Sequence, residues 1–557
     1  MMKAQEFFGL ALVPALLAAL SGTMGASTSL STGAATPAFA YEVTGEESVL
    51  HDPVRAGPLG RAPLLPGSFS LSDGLCPPLP PPTGNVVTVS SEAALRNQAY
   101  NAATGTLIMI EAGVYNMQDF VHVVNDGITL RGATGNRGDV ILDFGGMESG
   151  HFGILVDADD VTIADLTIRN THDHGVSIQG CDRPKLYNLH IQDTGDQLVK
   201  VNPHVNGIDG SEDGLLACSR LEYTTSAPDS YTNGISAHRA HNWVVRDNQW
   251  YRIRTIDDTP APTILFWSQS SGTIVERNLL VDCYQGISFG NASHNYIDHT
   301  GGIVRNNFIY TSSSSTNDVA IEMVHAQDWL VAHNTVFLLG SPPGLTWGIE
   351  ARYGDSRGTF AYNLTNKNIW HNRDGAQGTL MGNVTNAQFS WFVDAASGDL
   401  HLVTTATDAI DQAASLADVP DDYDGDARPI GPAPDVGADE YGVPPPTAVT
   451  NLRVTAAITH TGTLTATLGW TAPADAVTIT LRYNDTLITQ ANWTSAPLLT
   501  DALPGSAETY TATVPYDGST VYFALKSQNA AGDWSNLSNN AFWPHWDVFL
   551  PLVTKGR

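Results

Sequence analysis

The sequence predicts an all-β protein whose main part is a solenoid, a chain wound into stacked coils of short strands. Three observations lead to this prediction. A sequence repeat returns at intervals close to 30 residues, the segments between its copies alternate apolar and polar residues, and no helical periodicity separates them. The composition agrees, because only 15% of the 557 residues are charged and 51 are glycine, which suits β structure with many turns.

The repeat is marked by asparagine. Stacked side-chain amides about 4.8 Å apart can hydrogen-bond from one coil to the next, so asparagines in register predict a ladder. A general preference of asparagine for turns is the simpler alternative, but it does not explain the shared register within apolar segments. We place Asn188 in the same slot of an earlier coil, with Asp165 one coil before it. The repeated asparagines stand at intervals of 30, 29 and 27 residues: Asn248, Asn278, Asn307 and Asn334.

Both ends of the solenoid carry their own signals. Residues 90–103, SSEAALRNQAYNAA, have a serine cap and an early glutamate, which predicts a short amphipathic helix. Strands are predicted over 106–115 and 127–132. Residues 401–441 are predicted to cover the last coil, because a bare strand edge would recruit other strands. Within them, 421–429 (DDYDGDARP) are typical of a calcium loop but lack the distal glutamate of an EF-hand, so a turn held by aspartates is an equal alternative.

The chain divides into six predicted segments. Lys3 precedes the apolar run FFGLALVPALLAAL over 7–20, which is typical of a secretory signal, with an uncleaved anchor as the alternative. No later stretch is long and apolar enough to span a bilayer, so we expect an exported mature chain without a membrane span. The segments are a signal peptide with a small-residue tail (1–40), a Pro/Gly-rich linker (41–84), the solenoid with its closing segment (85–441), a short linker (442–447), a small β domain (448–543) and a tail (544–557) that suggests surface retention.

The charge of the chain narrows the class of partner. Its formal net charge is −30, and a protein this acidic repels phosphate backbones and anionic bilayers, so nucleic acid and membrane surfaces are excluded as expected partners. A polyanionic substrate would need a local basic patch or a divalent cation. The four cysteines permit disulfides, but their irregular spacing fixes no pairing and includes no CxxC motif: Cys76, Cys181, Cys218 and Cys283.

The coil repeat, the asparagine ladder and the N-terminal capping helix resemble the right-handed parallel β-helix proteins of the pectate-lyase-like superfamily, over roughly residues 85–440. The resemblance implies a right-handed coil of parallel strands in a secreted protein that acts on polysaccharides. The C-terminal region resembles a fibronectin type III module in the segments LGW (468–470) and VYFALKSQNAAGDWS (521–535). That resemblance implies Trp470 as the core indole and Tyr522 as the tyrosine corner.

Strand alternation places two columns of side chains on the outside of one sheet. In DQLVKVN (196–202) the valines are predicted to point inward, which turns Lys200 outward and places it diagonally across one coil from His238. Long loops over 203–214, 224–231 and 254–262 are expected to wall a groove above this face. The first predicted outward column runs Ser177, Lys200, Ser236, Phe266, Ser288, Glu322 and Glu350, and the second runs Gln179, Asn202, His238, Ser268, Gly290, Val324 and Arg352.

The superfamily resemblance implies cleavage of a uronic-acid polysaccharide by β-elimination. A base removes the proton α to the uronate carboxylate, and a cation, often Ca²⁺, neutralises that carboxylate. Lys200 is predicted to be the base, Arg239 or Arg220 to stabilise the anion, and His238 to act as acid or contact. The predicted substrate contacts are Asn202, Phe266 as an aromatic floor, Glu322, Glu350 and Arg352. The predicted oxygen ligands for Ca²⁺ are Asp193, Asp196, Asp209 and Asp213, although the ligand pattern of the calcium-dependent lyases is not reproduced before Lys200.

Two other functions remain open from the sequence. Glu322 and Glu350 share a column and would suit a glycoside hydrolase, in which two carboxyl groups act as acid and base. A non-catalytic polysaccharide-binding or adhesion protein at the cell surface is the third hypothesis, with Lys200 as a solvated residue that discourages wrong strand pairing. An enzyme should bring Lys200, His238 and an arginine to one point, whereas a binding protein should show a flat aromatic surface. We expect a monomer in either case.

Overall fold

A computed structural model of the chain describes residues 75–204, 207, 210–228, 232–257, 261–340, 345–442, 446–529 and 534–543. These residues form a parallel β-helix followed by two small antiparallel sheets. The predicted signal peptide (1–40) and tail (544–557) lie outside them. In the described part of the chain, no helix combines the length and apolarity needed to cross a bilayer.

Successive coils contribute strands to three long sheets, in which neighbouring strands pair in parallel. The first sheet has 16 strands and the second and third have 10 each. The first contains Val86–Val89, Leu107–Ile110, Thr129–Gly132, Thr162–Ala164, Lys185–Tyr187, Ser211–Glu212, Leu215–Ala217, Ala240–His241, Val244–Arg246, Ser270–Ser271, Ile274–Glu276, His299–Thr300, Ile303–Arg305, Ala326–Ala332, Arg357–Ala361 and Gln377–Met381. The second contains Val121–Val123, Ile154–Val156, Val176–Gln179, Val199–Asn202, Ile235–His238, Pro262–Trp267, Gln285–Phe289, Ile321–Val324, Trp347–Arg352 and Asn368–Arg373. The third contains Gly113–Asn116, Val140–Asp143, Thr167–Thr171, His190–Thr194, Arg220–Glu222, Gln249–Tyr251, Leu279–Val281, Phe308–Thr311, Thr335–Leu338 and Leu364–Thr365.

The second sheet fills the interior of the coil with two columns of apolar side chains. The strand register places Lys200 between Ser177 and Ser236 on the outer face, as the alternation predicts. Because the side-chain period of a strand is two, the residues between these outward positions point into the core. The inward columns are fully buried and run Val176, Val199, Ile235, Ile264, Ile287, Ile321 and Ile349, and Ile178, Val201, Ala237, Phe266, Phe289, Met323 and Ala351.

The coil around Phe266 differs from the predicted register by one residue. Phe266 is fully buried and pairs with an inward residue of the preceding coil, so its predicted exposure as a substrate contact is wrong. Ser268 and Gln269 both adopt left-handed conformations at the corner that follows, whereas the preceding coil turns with Arg239 alone. A one-residue shift moves every side chain of a strand to the opposite face. Trp267 therefore takes the outer position.

An asparagine ladder runs along the corner between the first and third sheets. Each side-chain amide donates to the side-chain carbonyl of the next coil at 2.9–3.1 Å, which confirms the predicted ladder and extends it by two coils. Asn188 and Asp165 are not members, because they occupy the left-handed position one residue earlier in their coils, with φ values of 50° and 59°. The ladder consists of Asn248, Asn278, Asn307, Asn334, Asn363 and Asn383.

The N-terminal end has the predicted helix, over Glu92–Asn101, and the side chain of Ser91 caps it by accepting from the Ala94 amide at 3.3 Å. The last residues of the predicted linker pack against the coils. Cys76 forms a disulfide with Cys218, and the hydroxyl of Tyr187 donates to the Pro77 carbonyl at 2.6 Å. The linker therefore ends as a strap fastened to the β-helix.

The closing segment (401–441) packs along a side of the β-helix. It begins in the second strand of the hairpin formed by Phe392–Asp394 and Asp399–Leu402, and its apolar residues pack against outward residues of the third sheet such as Phe308 and Leu364. The strand Gln377–Met381 at the end of the first sheet keeps Leu380 47% exposed. Cover over the last coil therefore stays a prediction. The outer face of the third sheet is apolar in these coils, and the closing segment buries it.

The acidic stretch 421–429 forms a turn held by its own carboxylates. The oxygens of Asp422 accept from the backbone amides of Asp424, Asp426 and Glu440 at 3.0, 2.8 and 3.0 Å. Arg428 forms a buried ion pair with Glu440. These contacts match the turn alternative for this stretch.

The C-terminal region forms two antiparallel sheets around one apolar core. Trp470 lies in that core at 3% exposure, as predicted. Tyr522 lies outside it, in a second cluster with Ile488 and Trp493. One sheet contains Arg453–His460, Thr463–Gly469 and Thr509–Pro515, and the other contains Leu498–Pro504, Thr478–Asn484, Val521–Gln528 and Ala541–Trp543. Short 3₁₀ turns are present at Phe389–Trp391 and Trp493–Ser495.

Candidate functional site

A lysine and a histidine meet on the outer face of the second sheet. Nζ of Lys200 lies 3.0 Å from Nε2 of His238 and 3.4 Å from Oγ of Ser236. The predicted diagonal contact across one coil is therefore present. Lys200 points away from the core, yet it is only 4% exposed. The predicted exposure of its side chain to water is therefore wrong.

The electrostatic state of His238 follows from its surroundings. Burial, and then the positive charges of Lys200 and His294, hold the pKa of His238 well below its usual range. The imidazole is therefore neutral near pH 7. Since the ammonium group of a lysine has only protons to donate, Nε2 of His238 accepts and Nδ1 carries the ring proton. The pair is thus a donor and an acceptor joined by one hydrogen bond.

An aromatic stack continues from His238 to the surface. Trp267 meets the His238 ring edge-on at 4.5 Å between centroids. His294 stacks on Trp267 at 5.0 Å, and Tyr296 stacks on His294 at 4.6 Å. Tyr296 is 40% exposed, so the stack leads from the buried lysine to solvent. The sequence predicts Phe266 as the outward aromatic side chain of this coil, whereas in the structure this side chain is Trp267.

Asp173, His174 and Asp196 form a second group at the start of the same strands. Their ligating atoms lie within 4.8 Å of one another. Burial lowers the pKa of His174 to about 4; the nearby carboxylate of Asp173 opposes this shift, and the charge of Lys200 adds to it. Calcium prefers six to eight oxygen ligands, whereas an imidazole suits transition metals such as zinc. This donor set therefore fits Ca²⁺ poorly.

The predicted calcium ligands that the structure describes form no common cluster of three or more. Both oxygens of Asp193 accept from Thr224, at 2.7 Å from its amide and 2.5 Å from its hydroxyl. Asp213 lies at a corner of the first sheet, where it accepts from Asn242 at 3.2 Å. Asp196 belongs to the group with His174 described above, and Asp209 lies outside the described residues.

The two predicted arginines have different positions. Arg239 directly follows His238 in a left-handed conformation, with φ of 48°. Arg220 lies in the third sheet, where Nε and one terminal nitrogen each donate to Glu222 at 2.9 Å. The structure therefore does not bring Arg220 to Lys200. Asn202 lies at the end of the lysine strand, paired with Gln179 of the preceding coil.

Glu322 and Glu350 occupy neighbouring strands in the outward column that contains Lys200. Glu322 accepts from Gln285 at 2.8 Å, and Glu350 accepts from Arg373 at 2.7 and 2.9 Å. Burial, and then the charge of Glu350, raise the pKa of Glu322 to about 8. Four strand spacings of about 4.8 Å, roughly 19 Å in all, separate this pair from Lys200.

Arg352 completes the set of predicted substrate contacts. It lies in the second outward column, two residues after Glu350 on the same strand. Its Nε donates to the carboxylate of Asp374 at 3.2 Å. Its guanidinium also stacks on the ring of Tyr353 at 4.9 Å. Arg352 thus lies near Glu322 and Glu350. The predicted site residues on the second sheet therefore form two separate groups, one around Lys200 and one around the two glutamates.

The geometry defines a parallel β-helix protein with a lysine–histidine–aromatic cluster on one outer face. No model of a protein family and no curated protein matches the sequence. Among solved structures, an alginate lyase from Paenibacillus sp. str. FPU-7 is 17% identical with a TM-score of 0.39, over 53% of this chain and 99% of that one.

Two further solved structures resemble the chain at a similar level. A mannuronic acid specific polysaccharide family 6 lyase from human gut microbiota is 12% identical with a TM-score of 0.34, over 54% of this chain and 80% of that one. PfbA, a surface adhesin of Streptococcus pneumoniae, is 11% identical with a TM-score of 0.35, over 52% of this chain and 84% of that one. Likeness at this level assigns no activity.

Proposed function

We propose that this chain is an exported, carbohydrate-active β-helix protein that cleaves a uronic-acid-containing polysaccharide by β-elimination. The observation that carries the proposal is the hydrogen-bonded pair of Lys200 and His238, 3.0 Å apart at the inner end of an aromatic stack. A base and an acid within one hydrogen bond of each other match what this reaction needs, and stacked aromatic rings suit the faces of sugars.

The pair supplies both proton transfers of the reaction. Transfer of one proton from the ammonium of Lys200 to Nε2 of His238 gives a neutral amine and an imidazolium, with no proton taken from solvent. The amine then removes the proton α to the uronate carboxylate as the C–O bond β to it breaks and a C=C bond forms. The imidazolium protonates the leaving oxygen. Because the pKa of His238 is low, its charged form is a strong acid.

The carboxylate of the substrate also needs a positive partner. Arg239, directly after His238 at the end of the strand, is the residue we propose for this role. No step is routed through Ca²⁺, because the described members of the predicted ligand set do not assemble.

The proposed location is outside the cell. A disulfide between Cys76 and Cys218 is typical of oxidising compartments, and the N-terminal sequence has the pattern of a secretory signal. We also propose that the C-terminal domain is a fibronectin type III-like spacer, and its arrangement of three strands facing four supports this.

Two other functions each have one observation in their favour. The raised pKa of Glu322 beside Glu350 provides a protonated carboxyl, which a glycoside hydrolase requires as its acid. The near-complete burial of Lys200 and the exposed ring of Tyr296 favour a binding protein that stacks sugars without cleaving them.

Incubation with a panel of uronic-acid polysaccharides distinguishes the three functions. A lyase produces ultraviolet absorbance from new unsaturated ends, a hydrolase produces reducing ends without that absorbance, and a binding protein produces neither. We expect absorbance with the unmodified chain and a loss of at least about a hundredfold in Lys200→Ala and His238→Ala, the range typical of an acid or base.

The control is Ser177→Ala, which alters the same outward column one coil earlier and should retain its rate. Full activity in Lys200→Ala would overturn the proposed base.

A further inference from the structure

A group of cationic side chains lies on the outer face of the third sheet, away from the Lys200 cluster. We call it the arginine patch. It surrounds the single carboxylate of Glu222 and belongs to a chain whose net charge is −30, so a local excess of positive charge needs an explanation. Its members are Arg137, His190, Arg220 and Arg252.

Glu222 holds three of these groups together. It accepts twice from Arg220 at 2.9 Å, once from Arg252 at 3.1 Å and once from His190 at 2.9 Å. Burial by itself would raise the pKa of Glu222, but the hydrogen bonds from His190 and Arg220 lower it to about 2. The carboxylate is therefore ionised and contributes one negative charge.

Arg137 makes no direct ion pair with this carboxylate. Its terminal nitrogen donates to two backbone carbonyls, of Cys218 at 3.0 Å and of Leu189 at 3.4 Å, and no carboxylate pairs with it in the described part of the chain. Burial, and then the positive charge of Arg220, lower the pKa of Arg137, while Glu222 and Tyr251 oppose this shift. Three guanidinium groups thus share one carboxylate.

The cations of the patch are partly accessible. The side chains of Arg220, Arg252 and His190 are 28%, 30% and 22% exposed. The guanidinium of Arg220 lies 4.3 Å from the centroid of the Tyr251 ring, which is itself buried. The closing segment packs on this sheet from Tyr251 onward, so the patch lies at the edge of the covered area, with Arg252 on the coil of Tyr251 and Arg220 and His190 on the two coils before it.

We propose that the arginine patch binds the carboxylate groups of an acidic polysaccharide, at a site separate from the Lys200 cluster. The choice of a polysaccharide rests on the proposed function, whereas the site rests on its unbalanced charge and its exposure. Arginine forks bind carboxylates with two parallel hydrogen bonds. Two unbalanced charges suit one or two uronate groups, while a nucleic acid needs contacts to many phosphates and would be repelled by the rest of this chain.

The test is the affinity of the full chain for polygalacturonate and for alginate, measured by affinity electrophoresis at several salt concentrations, with dextran as the neutral probe. Arg137→Gln removes one guanidinium and leaves the contacts of Glu222 in place. We expect about tenfold weaker binding to the acidic polymers, a weaker dependence on salt, and no change with dextran.

Arg183→Gln is the matched control. Arg183 is 49% exposed and its Nε pairs with Asp160 at 2.6 Å, so its loss should leave the affinity unchanged. Far-ultraviolet circular dichroism confirms that each variant is folded.

The outcomes separate this proposal from the proposed function. If the chain cleaves uronates but Arg137→Gln binds them as tightly as the unmodified chain, the patch proposal is overturned and the lyase remains. If the chain cleaves nothing and Arg137→Gln still weakens binding, the patch remains and the lyase is overturned. Equal competition by a DNA oligonucleotide would overturn the assignment to polysaccharide.

Discussion

Glu322 provides a direct test of the electrostatics on the second sheet. Its pKa in the folded chain is about 8, against an ordinary value of 4.5. Between these two pH values the unfolded chain has lost the proton while the folded chain keeps it. The contribution of Glu322 to the free energy of unfolding is therefore complete below pH 4.5 and is lost as the pH rises toward 8. The slope is about 1.4 kcal/mol per pH unit, which gives about 3 kcal/mol between pH 5 and pH 7.5.

The substitution that removes this effect is Glu322→Gln. The amide cannot ionise, and its carbonyl can still accept the hydrogen bond that Gln285 donates at 2.8 Å. When the pH is raised from 5 to 7.5, we expect the free energy of unfolding of the variant to rise by about 3 kcal/mol relative to that of the unmodified chain. Urea unfolding at both pH values, followed by tryptophan fluorescence, measures the difference.

Glu148→Gln is the control, because Glu148 is exposed and its substitution should produce no pH-dependent difference. A Glu322→Gln variant whose relative stability is the same at both pH values would refute the reasoning. It would mean that Glu322 is ionised in the folded chain at neutral pH.

Two further predictions concern the core and the cysteines. Asn307→Leu removes the side-chain hydrogen bonds to buried partners on both neighbouring coils of the ladder, and should lower the free energy of unfolding in urea by about 3 kcal/mol. Asn101→Ala on the exposed helix end should lower it by less than about 1 kcal/mol. Burial raises the pKa of Cys181 to about 12 and of Cys283 to about 11; a thiol-reactive chromophore should therefore label no cysteine in the folded, oxidised chain and two after unfolding without reductant. Labelling of either thiol before unfolding would contradict this assignment.

The stacked architecture and its central pair could be predicted from the sequence because they depend on period. A strand has a side-chain period of two and a coil returns at a nearly constant interval. The asparagine ladder and the outward position of Lys200 follow from these two regularities alone. The contact of Lys200 with His238 follows from them as well.

Other features could not be predicted, since they depend on corners and on tertiary cover. The segment Pro262–Trp267 is apolar except for Thr263, so alternation does not reveal which of its residues point inward. The extra corner residue at Ser268–Gln269 could only be seen in the fold. Arg220 has an outward position in a different sheet, which its spacing from Lys200 does not show. The excursion that brings His294 to Trp267 is a loop without a repeat.

The corner at Ser268–Gln269 has a wider consequence. The extra residue is absorbed within the corner, because the strand before it keeps the common register with both neighbouring coils, with Phe266 between Ala237 and Phe289 in the interior. A codon inserted at a corner can therefore lengthen the turn while every rung keeps the same residues inside and outside. In a β-helix of this kind, the corners can change in length during evolution while the packing of the interior is maintained.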